Sequence, residues 1–227
     1  MSDFLLHPHV YLGFTDGGAV FLDVKRDRYF GIDSAELETL RAIVFGSARN
    51  VEAEKFGQQL LEQGLMTREP SGRCFVPATI KPPRGRVAER SFLDRPKLSA
   101  SHFWNISRSY LQTKYAQKMR SFEKTLAGVS VRSGRATLLD VSTDLDAARE
   151  LVRSFFYLRS IFYSPKDNCL LDSLVLLRFL SYYNFKATFI IGVTTAPFAA
   201  HCWLQSGDLT LNARPEFAAL YQPILTI

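Results

Sequence analysis

The 227-residue sequence predicts an α+β protein built as two domains. Short strand patterns followed by helix patterns fill about the first 80 residues. A Pro- and Arg-rich stretch then interrupts all periodicity, and the last third pairs a helix that starts at a cysteine with strand patterns, one of which opens at a histidine. Hydrophobic residues make up 47% of the chain, an ordinary share for a folded protein, so most of it is expected to be ordered.

Val10–Phe14 and Ala19–Asp23 read as strands joined by Thr15-Asp16-Gly17-Gly18, a strong hairpin turn signal, and Arg28–Ile32 continues the meander after Lys25-Arg26-Asp27. Asp33-Ser34-Ala35-Glu36 offers a capping box for a helix whose apolar stripe is Leu37, Leu40, Ile43 and Val44. A further helix carries Phe56, Leu60 and Leu61, stops at Gly64 and returns Leu65 to its own face. Arg73–Pro77 reads as a closing strand. The order predicts a winged-helix-like domain over residues 1–80. Its eight Lys/Arg against eleven Asp/Glu give −3, which disfavours nucleic acid, whose affinity depends on phosphate neutralisation. Peptide capture fits better. An edge strand carrying Arg28, Tyr29, Phe30 and Ile32, beside the helix bearing Glu52, Phe56 and Leu60, is predicted to take an extended peptide by strand addition.

Residues 81–98 read as a basic linker, since Lys81-Pro82-Pro83-Arg84-Gly85-Arg86 suits neither helix nor strand interior. Ser101–Ala127 predicts one long helix or two short ones, aromatic and basic, ended by Gly128. Residues 81–135 carry thirteen Lys/Arg against three Asp/Glu, hence +10 of the chain's +6 total, while residues 136–227 carry −1. That surplus is read as a solvated face or as a surface for an acidic partner. Asp144–Phe156 predicts another helix, with Leu145, Ala148, Leu151, Val152 and Phe155 on one face.

The chemistry-bearing stretch is Asp167-Asn168-Cys169-Leu170-Leu171-Asp172-Ser173. Asp167 or Asn168 can cap a helix whose first residue is Cys169, and the helix terminus favours a thiolate and offers amides to an oxyanion. Lys186–Val193 reads as a buried strand, and His201 opens the strand Cys202-Trp203-Leu204-Gln205. Helix-Cys followed by strand-His is the layout of a papain-like thiol hydrolase. Alternation along the strand puts Cys202 on the side away from His201, so Cys202 reads as structural.

Three scattered cysteines predict no disulfide framework and a reducing, cytoplasmic home. No Cys/His spacing resembles a zinc site, and neither a metal nor a cofactor is expected. No signal peptide or membrane-spanning pattern is read.

The run Cys169-Leu-Leu-Asp-Ser173, a glycine-containing strand, Pro197-Phe198-Ala-Ala-His201-Cys-Trp203 and Leu211-Asn212 resembles the B protein of lasso-peptide biosynthesis, a transglutaminase-like cysteine leader peptidase. The first 80 residues resemble the recognition element that captures the leader of a ribosomally made precursor, so the whole is similar to the fused form of that family. The resemblance implies a papain/transglutaminase-like cysteine protease domain over residues 99–227. It also implies that the precursor leader is cut from its core by Cys169 and His201, and that an asparagine-synthetase-like macrolactam cyclase is a partner.

The family places an aspartate after the Leu-Asn pair, and this sequence has Ala213 there. A three-residue loop at Ser206-Gly207-Asp208 would pair Gln205 with Leu209 and set His201 opposite Ala213. A Cys-His dyad, Asn212 in a shifted register, or an inactive chain each remain compatible with the sequence. The competing readings are a catalytically inactive leader-binding scaffold and, more weakly, a DNA-binding regulator.

Overall fold

A computed structural model describes residues 4–46, 50–88, 96–133, 138–164 and 168–227. The chain divides into two compact units. One holds the residues up to Thr79 with Val193–Ala199 and Gln222–Leu225; the other holds Ile80–Gly192, Ala200–Tyr221 and Thr226–Ile227.

In the first unit β2 (Val10–Thr15), β3 (Gly18–Asp23) and β4 (Arg28–Asp33) form an antiparallel meander, preceded by β1 (Leu5–Leu6). β3 is central and fully buried, because each neighbour covers one edge and the core covers its face. β4 is an edge strand with an alternating, half-exposed pattern. α1 (Ser34–Val44) packs on β3 and β4, and α2 (Val51–Glu62) packs on α1 and on β5 (Met66–Thr67), which pairs with β1. The capping box read at residues 33–36 does not form, since Asp33 stands at the N-cap without a side-chain bond. α2 is instead capped by Asn50, whose Oδ1 accepts from the Ala53 N–H at 2.8 Å. Gly64, at φ +70°, ends the turn after α2 and lets the Leu65 N–H reach the Leu60 carbonyl at 3.0 Å. Phe4, Leu12, Phe21, Leu40, Phe56 and Leu60 share the core. The closing strand expected over Arg73–Pro77 reduces to one bridge between Leu6 and Arg73, on the edge of β1 opposite β5, because β1 itself is only two residues long.

In the second unit the stretch read as linker contributes a strand. β6 (Gly85–Arg86) runs parallel to β11 (Leu209–Thr210), Val87 is fully buried, and the Val87 N–H donates to the Thr210 carbonyl at 2.9 Å. The basic, proline-bearing composition masked a short edge strand, where a Pro-flanked pair of residues is tolerated. Residues 89–95 of the expected linker lie outside the described residues. β6 ends a five-stranded sheet of order β12–β9–β10–β11–β6, with β9 (Thr188–Thr195), β10 (Phe198–Ser206) and β12 (Gln222–Thr226). A short parallel pair joins β7 (Leu139–Asp140) to β8 (Phe185–Lys186).

The helices of this unit are α3 (Ala100–Met119), α4 (Phe122–Ser133), α5 (Leu145–Leu158), α6 (Cys169–Ser181) and α7 (Pro215–Ala218). The basic aromatic pattern is therefore two helices, and Gly128 lies inside α4 rather than ending it. Asp144 caps α5 by accepting from the Ala147 N–H at 3.1 Å. α6 is apolar almost all round, as a helix enclosed by α3 and α5 must be. Among the described residues no helix is long and apolar enough to cross a membrane.

Candidate active site

The site forms where β11 ends. β10 and β11 pair through a two-residue turn, Gly207-Asp208, with Ser206 opposite Leu209 and Gln205 opposite Thr210. Gly207 has φ +60°, as a tight turn with glycine in its first central position requires. This register is one residue off the three-residue loop expected from sequence. It corrects the pairing of His201 with Ala213: the last backbone bond of the ladder runs from the Leu211 N–H to the Leu204 carbonyl at 2.9 Å, and the chain then turns away. The Asn212 side chain takes the next place, its Oδ1 accepting from the Leu204 N–H at 2.9 Å.

Beyond Leu204 the same edge of β10 is free of β11, and the first turn of α6 occupies it. The Ser173 hydroxyl donates to the Cys202 carbonyl at 3.1 Å, and the Cys202 N–H bonds the Cys169 sulfur. Asn212 Nδ2 donates to Ser173 Oγ and to Asp172 Oδ2, each at 3.0 Å. Asp172 is 3% exposed and Arg159 7%; Arg159 donates to both carboxylate oxygens at 2.6 Å, and the Tyr163 hydroxyl donates to Oδ1 at 3.0 Å. Four donor contacts thus saturate the Asp172 carboxylate and fix the helix turn that carries Cys169.

Cys169 is the first residue of α6, with Asn168 at the N-cap. The Asn168 side chain does not cap the helix; its Nδ2 donates to the Ser164 carbonyl at 3.2 Å. Asp167, the other expected cap, lies outside the described residues. The amides at the start of α6 are thus left without that side-chain partner. A hydrogen bond from the Cys202 thiol is the main cause that brings the Cys169 thiol down to about 4; partial burial opposes it, and His201 and the Cys202 N–H reinforce it. The partner effect pushes the Cys202 thiol well up, first through its bond to Cys169 and then through burial, so Cys202 stays protonated and donates.

Cys202 is the residue that sequence reasoning misplaced. Alternation sends its side chain away from that of His201, but Cys169 approaches the open edge of the strand rather than one face, and from the edge both neighbours are reachable.

His201 stands beside Cys169, and its Nε2 is buried without a partner. Its ring is enclosed by aromatics: Trp203 stacked at 5.9 Å between centroids, Phe217 edge-on at 5.2 Å and Tyr221 at 5.4 Å. Burial and the nearby Cys169 charge raise the Tyr221 hydroxyl above its ordinary value, keeping it protonated. Ala213 packs with Tyr221 against Ile190, Trp203 and Ala218. It therefore belongs to the apolar wall of the histidine's surroundings. Phe217, in α7, and Tyr221, beyond its end, bring their rings to 5.2 Å; neither is marked by the sequence, since Tyr221 stands outside any helix period.

The predicted peptide-binding residues separate into two groups. Arg28, Tyr29, Phe30 and Ile32 lie on the edge strand β4, with Phe30 and Ile32 turned toward the core and Tyr29 meeting Phe198 at 5.6 Å. On α2, Leu60 is 1% exposed and is core, not an available anchor, because its position faces α1 and β5. Glu52 and Phe56 open onto a cavity of about 210 Å³ between α1 and α2, lined also by Glu36 and Lys55.

Residues 111–226, just over half of the chain, match the transglutaminase-like superfamily, and the chain belongs to it. Within the curated proteins, a stretch of 51 residues is 40% identical to the microcin J25-processing protein McjB of Escherichia coli, covering 22% of this chain and 24% of that protein. The chain thus spans about a quarter of that relative in the match. No solved structure matches the chain.

Proposed function

We propose that this chain is a cysteine leader peptidase of lasso-peptide maturation, binding the leader of a ribosomally made precursor and hydrolysing the bond that joins it to the core. The observation that carries the reading is the Cys169 thiol, held at about 4 at a helix start and bonded to both His201 and Cys202. A thiolate persisting at neutral pH attacks the scissile carbonyl carbon, and in this reading amides at the α6 terminus receive the oxyanion. His201 then gives a proton to the leaving amine as the C–N bond breaks, leaving an acyl-enzyme thioester on Cys169. Water attacks the thioester, His201 takes its proton, and the acid and free Cys169 are released.

The superfamily membership and the match to a protein named for microcin J25 processing support hydrolysis of a peptide precursor. In this reading the meander with its two helices is a winged-helix-like recognition element spanning residues 1–80. The exposed edge of β4 at Arg28–Asp33 supports strand addition of an extended leader, with Glu52 and Phe56 lining a separate cleft. The macrolactam cyclase would then act on the freed core.

Cys169→Ala tests the assignment with cognate precursor: leader binding measured by calorimetry persists, while cleavage followed by mass spectrometry is lost. Normal cleavage by that variant would end the reading. A second reading, a leader-binding scaffold without activity, is favoured by one observation, the unpartnered His201 Nε2. It requires that wild-type protein bind leader and leave the precursor intact.

A further inference from the structure

α3 has one buried face and one exposed apolar face. Ile106, Ser109, Thr113 and Ala116 are buried on one side, against the unit's core. On the opposite side Trp104 is 68% exposed, Leu111 65%, Tyr115 63% and Met119 62%. Spacings of seven, four and four residues put these four within a single narrow stripe of a 3.6-residue helix, running along a helix of about 30 Å. Lys114 and Lys118 are exposed along one border of the stripe, Arg108 is exposed within it, between Tyr115 and Met119 around the helix axis, and no acidic residue occurs anywhere in Ala100–Met119. Arg108 lies over the ring of Tyr182 at the end of α6, at 5.1 Å, which holds that charge in place.

Single exposed apolar side chains need no explanation, but four large ones aligned on one helix face do. The composition decides what covers them. A second copy of the chain would bring two cationic, acid-free helices together. A protein partner fits less well, because lysine is depleted in protein interfaces, whereas Trp and Tyr beside Lys and Arg is the make-up of helices that lie in a bilayer's headgroup region.

We propose that the outer face of α3 docks the protein onto an anionic lipid surface, with Trp104, Leu111, Tyr115 and Met119 entering the headgroup boundary and Arg108, Lys114 and Lys118 meeting lipid phosphates. The helix lies in the interface plane and spans nothing. Lipid attraction of this kind needs both parts, the apolar insertion and the charge.

The full chain reports on its own docking. It has two tryptophans, and Trp203 is fully buried, so a change in emission on adding vesicles reads Trp104. Phosphatidylglycerol-rich vesicles are expected to sediment the protein and shift its emission to the blue, with affinity at least about tenfold higher than for phosphatidylcholine vesicles and falling as salt is raised. Leu111→Ser with Tyr115→Ser, both exposed and so compatible with folding, should remove sedimentation and shift while leaving the circular dichroism spectrum unchanged. Lys114→Glu with Lys118→Glu should lose the preference for the anionic lipid. The proposal is overturned if the wild-type protein ignores phosphatidylglycerol vesicles at low salt, or if the Leu111/Tyr115 variant binds them as well as wild type. It is overturned equally if soluble poly-glutamate shifts the emission as strongly as vesicles do, which assigns the face to an acidic protein, or if sedimentation velocity shows that the same substitutions abolish a dimer.

Discussion

The two halves of the candidate catalytic pair are held by opposite means. Cys169 rides on a helix turn fixed by charge and hydrogen bonds, through Asp172, Arg159, Tyr163, Asn212 and Ser173. His201 is held by ring packing, with Trp203, Phe217 and Tyr221 around it and nothing polar on Nε2. A polar network fixes position through directional bonds and fails steeply when one member is removed. An aromatic enclosure fixes orientation through shape, and it fails by degrees.

The largest expected effect is on the polar side. Asp172→Asn leaves Arg159 buried without its counter-charge, and breaking a buried pair in this way costs about 3–5 kcal/mol. Urea denaturation should show that loss, and a change below about 1 kcal/mol would mean the network does not anchor the helix. On the aromatic side, Phe217→Ala removes one wall of the enclosure at a residue that is 45% exposed. Stability should fall by less than about 1.5 kcal/mol, but precursor cleavage in single turnover should slow by roughly tenfold as the imidazole loses its orientation. Equal and small effects on both readouts would leave the ring without a positioning role.

Ala213→Asp sharpens the contrast by adding a polar group to the apolar wall that Ala213 shares with Trp203 and Tyr221. A carboxylate accepting from Nε2 should raise the cleavage rate by about tenfold, roughly 1.4 kcal/mol of barrier. An unchanged rate in a folded variant would show that shape alone suffices.

The smallest effect is a displaced pH limb. Above about pH 4 Cys169 is mostly thiolate, so its alkylation by iodoacetamide should change little from pH 9 down to pH 5 and then fall as the thiolate takes up a proton. Free cysteine, by contrast, loses about tenfold per unit below pH 8.5. Cys202→Ala deletes the main donor to the thiolate, so the limb should move upward, toward neutral pH. A limb that stays in place would assign the depressed value to His201 and the helix start instead.

Legibility in the sequence followed the range of the interaction. The meander, the helix beginning at Cys169 and the strand carrying His201 were readable because period and turn chemistry are local. The hairpin register was readable in principle, since Gly207-Asp208 is a two-residue turn signal, but the longer loop gave a pairing that suited Ala213. The β6 edge strand was hidden by its prolines and arginines. The Asp172–Arg159 pair joins residues 13 apart in separate helices, and the ring enclosure forms only once α7 folds back on β10; neither leaves a periodic trace. On α2, amphipathic spacing marked Leu60 as apolar but not whether it faces a groove or the core.

The sheet also carries a gap in side-chain volume beneath the histidine's enclosure. A methyl group on Gly192 would stand 2.8 Å from the Trp203 ring and from the Tyr221 Cβ. The Trp203 ring, one of the three around His201, and the Cβ from which the Tyr221 ring extends therefore lie in space that a backbone without a side chain leaves empty. The tolerance of this fold to sequence change should for that reason be narrow at a position with no chemistry of its own: alanine at 192 requires the Trp203 ring and the root of the Tyr221 side chain to shift beside His201.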